Sequence, residues 1–186
     1  MDFDRLYLQV LKYLNFRPRS EKEIRDYLKI KLSSGVIANK AKQSYYRKQD
    51  PSTSLHFVQD DELNQTEALV DLIIHKLKQQ RFLNDLEFAK MWVRSRTSYK
   101  PKGEKLIRLE LKQKGISNEI INEVFTDTES RVQSDLELAI EIMEKKRRKF
   151  EAMERQERFR KAGSLLARRG FNLDIIKQAI DQVFGK

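Results

Sequence analysis

Cysteine is absent from the 186 residues. Disulfides, thiol nucleophiles and thiolate metal sites are thereby excluded. Proline and glycine are scarce, with three and six residues, so a highly helical protein rather than a sheet protein is expected. No run approaches the ~20 consecutive apolar residues that a membrane helix requires. The opening MDFDRLYLQV is acidic at once and lacks the basic stretch and apolar core of a signal peptide. A cytoplasmic protein with no membrane partner is expected. The linear patterns HExxH, GxSxG and GxxxxGK before Ser or Thr do not occur. Asp60, Asp61 and Glu62 lack the glycine and ligand spacing of an EF-hand and are read as a helix N-cap region. His56 and His75 sit in unrelated contexts, His75 beside Ile74 and Leu77 in a helical pattern. Nothing marks a catalytic, metal or cofactor site, and a protein that is not an enzyme is expected.

Charge is what the chain has in abundance. Charged residues make up 35%, hydrophobic ones 39%, and the net charge is +10. This profile suits a helical protein with thin cores and a polyanionic partner. The positive charge is clustered. From Arg94 to Lys114 there are eight cations (Arg94, Arg96, Lys100, Lys102, Lys105, Arg108, Lys112 and Lys114) against Glu104 and Glu110, a surplus of six. A second run, Lys145-Lys146-Arg147-Arg148-Lys149, is purely cationic. Neighbouring like charges on a helix repel by a few tenths of a kcal/mol per pair. A cost borne this often points to an anionic target, although cations also simply solvate helix faces.

The segment 82–125, FLNDLEFAKMWVRSRTSYKPKGEKLIRLELKQKGISNEIINEVF, reads as three short helices. Asn84 caps the first, with Glu87 three residues on and Leu83 and Phe88 at the staple positions. Leu86, Ala89 and Val93 recur on one face, widened by Phe88 and by Trp92, which is read as core rather than as a base-stacking platform. Pro101 ends that helix. The second, about Lys102 to Lys114, carries Ile107 and Leu111 flanked by Leu106 and Leu109, then stops at Gly115. The third starts at Ser117, with Ile116 and Ile121 as its staple and Ile120, Val124 and Phe125 on its stripe.

The same order of caps, faces and stops occurs on either side. Towards the N-terminus, Leu6, Val10, Leu11 and Leu14 form a face, and Arg17-Pro18-Arg19-Ser20 matches Lys100-Pro101-Lys102-Gly103 in layout. Ser20 with Glu23 is a capping box, Ile24 and Leu28 follow, and a third helix over about 62–80 carries Ala68, Leu69, Leu72, Ile73 and Leu77. Towards the C-terminus, Ser134 with Glu137 is another capping box, and Leu136, Ala139, Ile140 and Met143 continue the face. Glu144 to Glu157 reads as a continuous helix. Phe159, Ala162, Leu165 and Leu166 lead to Arg169-Gly170, and Phe171, Asn172 and Ile176 repeat the staple and cap of the third helix. Ile175, Ala179, Ile180 and Val183 close it.

An all-α fold is therefore expected, an elongated, curved array of three tandem three-helix repeats at 1–80, 81–129 and 130–186. The first repeat holds an insertion at about 33–60, read as a mobile basic segment, with Tyr45 and Tyr46 as base-stacking candidates.

FLNDLEFAKMWVRSR followed by KPKGEKLIRLELKQKGI resembles the central signature of the RecX family, bacterial regulators of the RecA recombinase. The resemblance is strong over about a quarter of the chain, and the insertion departs from it. It implies tandem three-helix repeats and a regulator that binds the RecA–single-stranded-DNA filament. It also implies inhibition or modulation of RecA recombinase, ATPase and co-protease activity, in homologous recombination, DNA repair and the SOS response. The partners expected are the RecA filament and single-stranded DNA, with duplex DNA a further candidate, bound by a monomer. The contact residues expected are Arg94, Arg96, Lys100, Lys102, Lys105, Arg108, Lys145, Lys146, Arg147 and Arg148. The alternative is a direct DNA-binding helical protein that acts without RecA, its helices joined at Gly115 in the manner of a helix-turn-helix. Reversal of Arg94, Arg96 and Lys102 to Glu is expected to weaken filament binding with helicity intact.

Replacing Ile107 or Leu111 with Asp should unfold the central repeat, because burying an unpaired carboxylate costs several kcal/mol. Thermal melting checks this, and an unchanged transition would remove both residues from the core.

Overall fold

A computed structural model describes residues 3–33, 58–99, 101–126 and 134–185. All regular structure among them is helical. The chain divides into two compact units, Met1–Phe88 and Ala89–Lys186.

The first unit contains α1 (Phe3–Phe16), α2 (Glu21–Ser33), α3 (Val58–Gln79) and the first turn of α4 (Asp85–Ser98). Leu6 and Val10 of α1, Ile24 and Leu28 of α2, and Val70, Ile73, Ile74 and Leu77 of α3 form one core with Tyr7 and Leu83. Each such Leu or Ile contributes about 1.5–3 kcal/mol by burial. Leu11, Leu14 and Leu69 pack at its edge, whereas Leu72 is exposed. The expected capping box is present: Ser20 Oγ accepts from the Glu23 N–H at 3.3 Å, and the Glu23 carboxylate accepts from the Ser20 N–H at 3.2 Å. Helix α3 starts earlier than expected, so Asp60 and Asp61 lie inside its first turns rather than at a cap. It ends on Arg81, whose φ of 59° is left-handed without a glycine. The Phe82 N–H then reaches the Leu77 carbonyl at 2.9 Å, closing the helix in the manner that a C′ glycine usually permits. His75 is exposed. Residues 34–57, with Tyr45, Tyr46 and His56, lie outside the described residues.

The second unit contains the rest of α4, α5 (Glu104–Gln113), α6 (Asn118–Thr126), α7 (Asp135–Lys145), the short α8 (Arg147–Glu151), α9 (Arg155–Ala167) and α10 (Leu173–Phe184). Ala89, Val93, Ile107, Leu111, Ile116, Ile121 and Val124 are all buried, while Leu109 faces solvent. The second core of this unit gathers Leu138, Ala139, Ile142, Met143, Phe150, Ala162, Leu166, Phe171, Ile176, Ala179, Ile180 and Val183.

Several local expectations hold. Asn84 Oδ1 accepts from the N–H groups of Leu86 and Glu87 at 3.0 and 3.2 Å. Ser134 and Glu137 make a reciprocal capping box at 3.3 and 2.9 Å. Gly115 and Gly170 are left-handed, with φ of 78° and 87°.

Further readings change. Asn172 stands at the N-cap of α10 but makes no side-chain cap bond. Phe159 is exposed rather than part of the α9 face. The helix expected to run through 144–157 is broken, at Lys146 and again at 152–154. The breaks bring Phe150 into the core, a burial that a straight helix would forgo. Arg158 stabilises the second break by donating to the carbonyls of Phe150, Glu151 and Met153 at 3.1, 3.3 and 2.9 Å. The turn between the first two helices of the third repeat therefore exists without a Lys-Pro-Lys-Gly sequence.

That sequence has another role in the central repeat. The Gly103 N–H donates to the Arg169 carbonyl at 2.8 Å, and the Glu104 N–H donates to Asp135 Oδ1 at 2.9 Å. The turn is thus docked on the third repeat, where a Cβ on Gly103 would lie 2.6 Å from the Gly170 carbonyl oxygen. Asp85 acts likewise in the first unit, accepting from the Glu21 N–H at 2.8 Å. Each Asp follows an N-cap residue of its own helix and caps the N-terminus of an earlier one, where a carboxylate is favoured. Burial pushes both carboxyls above the ordinary Asp range, and the backbone N–H partly offsets it.

Gly103→Ala should destabilise the second unit by about 1–3 kcal/mol, because the obstacle is backbone that cannot move aside. Gly163→Ala, whose Cβ would meet only Ile176 Cγ2 at 3.6 Å in mid-helix, should instead be neutral or stabilising by up to about 1 kcal/mol. Denaturant titration of the two variants side by side reads the contrast.

Candidate nucleic-acid interface

The cations around the central turn are not equivalent. Glu110, on α5, gathers three donors: Trp92 Nε1 at 2.9 Å and Arg96 Nε at 2.9 Å on Oε2, and Lys102 Nζ on Oε1. The Arg96 guanidinium lies 4.1 Å from the Trp92 ring centroid, and Lys114 Nζ lies 4.3 Å from it. Trp92 is consequently half-buried with two cations near its ring rather than the core residue expected, and its N–H is bound as an amphipathic ring requires. Helices α4 and α5 are joined through this carboxylate. Burial raises the Glu110 carboxyl, but the bonds from Lys102, Arg96 and Trp92 outweigh it and hold the group below the ordinary Glu range.

Arg108 is also engaged. Its Nε meets Glu104 at 2.5 Å, Nη1 donates to Asn122 at 2.8 Å, and the guanidinium covers the Phe125 ring at 4.5 Å. Arg94 and Lys105 differ: both are exposed, and neither has an ion-pair or hydrogen-bond partner among the described residues. Lys100 lies outside the described residues. In the second run, Lys145 pairs with Glu141, and Arg147 pairs with Glu144 at 3.4 Å and Glu151 at 3.7 Å. Lys146 and Arg148 have no such partner among the described residues. Nine of the ten expected contacts thus sort into Arg94, Lys105, Lys146 and Arg148, which have no internal partner among the described residues, and Arg96, Lys102, Arg108, Lys145 and Arg147, which do; the pairs of Lys145 and Arg147 are exposed and contribute little to stability.

Sequence spacing missed Glu110 because its donors come from residues 92, 96 and 102, and no linear motif marks such convergence. The two capping aspartates were legible in principle, since each directly follows an N-cap residue in a matching helix start. Among the described residues, no group of three or more His, Asp or Glu side chains is placed to hold a metal ion. No helix among them is long and apolar enough to cross a membrane.

Because Glu110 is ionised more readily in the folded state, it contributes stability above the ordinary Glu range that is lost as pH falls through its depressed native value. Glu110→Gln should therefore melt lower than the wild type at about pH 7, and the gap should narrow at about pH 3. Calorimetry at the two pH values checks it.

Three family models match the chain in order. These are RecX, first three-helix domain, over residues 7–39; RecX, second three-helix domain, over 84–124; and RecX, third three-helix domain, over 133–180. Regulatory protein RecX of Chlorobium phaeobacteroides is 32% identical over 121 residues, covering 64% of this chain and 75% of that protein. Regulatory protein RecX of Bacillus cytotoxicus is 26% identical over 182 residues, 98% of this chain and 55% of the relative. The chain spans about half the length of such Bacillus relatives. In structure it matches the crystal structure of RecX from Lactobacillus salivarius with a TM-score of 0.67 at 24% identity, over 97% of this chain and 96% of that one. With three domain models in sequence and a relative matched over three quarters of its length, the chain belongs to the RecX family.

Proposed function

We propose that this protein binds the RecA–single-stranded-DNA filament and damps RecA recombinase, ATPase and co-protease activity, as a binding protein in the cytoplasm rather than an enzyme. Supporting this reading are the naming of the relatives as regulatory proteins and the excess of positive charge. The observation that carries it is the cations of the two clusters that have no internal partner among the described residues, Arg94, Lys105 and Lys112 in one and Lys146, Arg148 and Lys149 in the other. An unpaired, exposed cation costs little to bring against phosphate or an acidic protein surface, and it releases counterions on binding. An engaged one such as Arg96 must first leave Glu110. Lys100, outside the described residues, is kept in the contact set on its sequence position before Pro101. Contacts spread over repeats at 1–80, 81–129 and 130–186 reinforce one another through effective concentration.

The engaged cations change one expectation. Reversing Arg96 or Lys102 to Glu sets a carboxylate against Glu110, so these variants should lose stability and report on folding instead of binding. The informative variant is Arg94→Glu, Lys105→Glu and Arg148→Glu combined. It should keep its circular dichroism and melting temperature and lose its effect on RecA ATPase measured on single-stranded DNA. Inhibition undiminished in this variant would remove the cluster from the interface. Sequence-selective binding to naked duplex, with no effect on RecA, would favour the direct DNA-binding reading.

A further inference from the structure

The start of the second helix in the first repeat has the same frame as in the central one. Glu21 and Arg25 pair across one helical turn at 2.8 Å, as Glu104 and Arg108 do at 2.5 Å. Asp85 caps the Glu21 amide as Asp135 caps that of Glu104. Ile24 and Leu28 are buried as Ile107 and Leu111 are. In this register Arg19 stands where Lys102 stands, and Tyr27 stands where Glu110 stands.

The chemistry at that place differs. In the central repeat Glu110 supplies an internal anion for Lys102 and Arg96. In the first repeat the Arg19 guanidinium lies 3.8 Å from the Tyr13 ring centroid, and Tyr13 stacks on Tyr27 with centroids 4.2 Å apart and planes 11° from parallel. Arg19 has no carboxylate partner among the described residues, and its buried Nε makes no hydrogen bond. Its neighbour Arg17, by contrast, is paired with Glu23 at 2.8 Å. On the same turn Phe16 is 86% exposed, and Tyr99, at the corresponding place before the central turn, is 90% exposed. A large ring held in water at the same position of two repeats is not explained by either core.

We propose that the Phe16–Arg19 turn is a contact for single-stranded nucleic acid, in which Arg19 takes a backbone phosphate and Phe16 stacks on an unpaired base. With its Cζ 3.8 Å from the Tyr13 ring centroid and its Nε buried, the Arg19 guanidinium keeps its two terminal Nη groups for a two-pronged bond to phosphate. A cation beside a solvent-facing aromatic is the combination by which single strands are held without sequence preference. The adjoining ring favours a base-bearing phosphate over the carboxylate of an acidic protein. Tyr99 supplies the aromatic half of the same arrangement in the central repeat.

The inference rests on the nucleic-acid part of the function proposed above, so the test leaves RecA out. Anisotropy of a labelled oligothymidylate is titrated with the full chain over a range of salt. Arg19→Ala should weaken binding and lower the slope of log affinity against log salt by about 0.7, the value for one phosphate on a single strand. Phe16→Ala should weaken binding by about five- to a hundredfold with the slope unchanged. Tyr27→Glu, which gives Arg19 the internal anion that Glu110 provides in the central repeat, should reproduce the slope change of Arg19→Ala. Unchanged affinity and slope in both Arg19→Ala and Phe16→Ala would overturn the proposal. So would polyglutamate binding that depends on Arg19 while oligothymidylate binding does not, since that assigns the turn to an acidic protein. Either result leaves the effect on RecA ATPase as a separate measurement.

Discussion

The second unit depends on a close approach of backbone to backbone. Gly103, at the start of α5, donates to the Arg169 carbonyl at 2.8 Å, and Gly170 lies so near that a side chain on either residue would collide. Gly170 also takes a left-handed φ of 87°, so it both ends α9 and leaves room for Leu106. The two glycines act as one joint between the central and third repeats. Asp135 adds a carboxylate to the exposed N-terminus of α5 at that joint. The Lys-Pro-Lys-Gly sequence thus has an architectural cause before any functional one: Pro101 and Gly103 are buried against the neighbouring repeat.

The cation-rich turn beside this joint is built around one acid. Glu110 binds Arg96 and Lys102 and holds the indole N–H of Trp92, so a region that reads as a bare cluster of charge is partly self-neutralised. Mutual repulsion among the cations is relieved from within. The cations of the two clusters without an internal partner among the described residues are a smaller set, Arg94, Lys105 and Lys112 here and Lys146, Arg148 and Lys149 in the third repeat. The first repeat solves the same packing problem with aromatic rings in place of a carboxylate, which leaves Arg19 with its charge uncompensated among the described residues. Repetition of a frame with exchange of its polar residues lets one architecture hold cations inward in one repeat and present them in another.

Much of the fold was legible in sequence because caps and stops are local. Ser20, Asn84 and Ser134 bind amides two or three residues away, and Gly115 and Gly170 mark helix ends by their own dihedral freedom. Arg81 shows the limit: it takes the same left-handed conformation with no residue-type signal, held there by the packing of α3 and the bond from Phe82 to Leu77. The broken helix at 146–154 was hidden for a related reason. Most of its residues favour helix, and the burial of Phe150 and the Arg158 bonds to the carbonyls of Phe150, Glu151 and Met153 accompany the breaks.

The sequence by itself determined the helical class, the repeat, the position of most helix ends and the sign of the surface, since each follows from residues within a few positions of one another or from composition. Tertiary structure alone decided which cations are neutralised, which amides Asp85 and Asp135 reach, and what lies against each glycine, the Gly170 backbone at Gly103 and Leu106 at Gly170. Those outcomes depend on atoms from separate helices meeting within about 3 Å, a distance that no spacing along a single chain specifies.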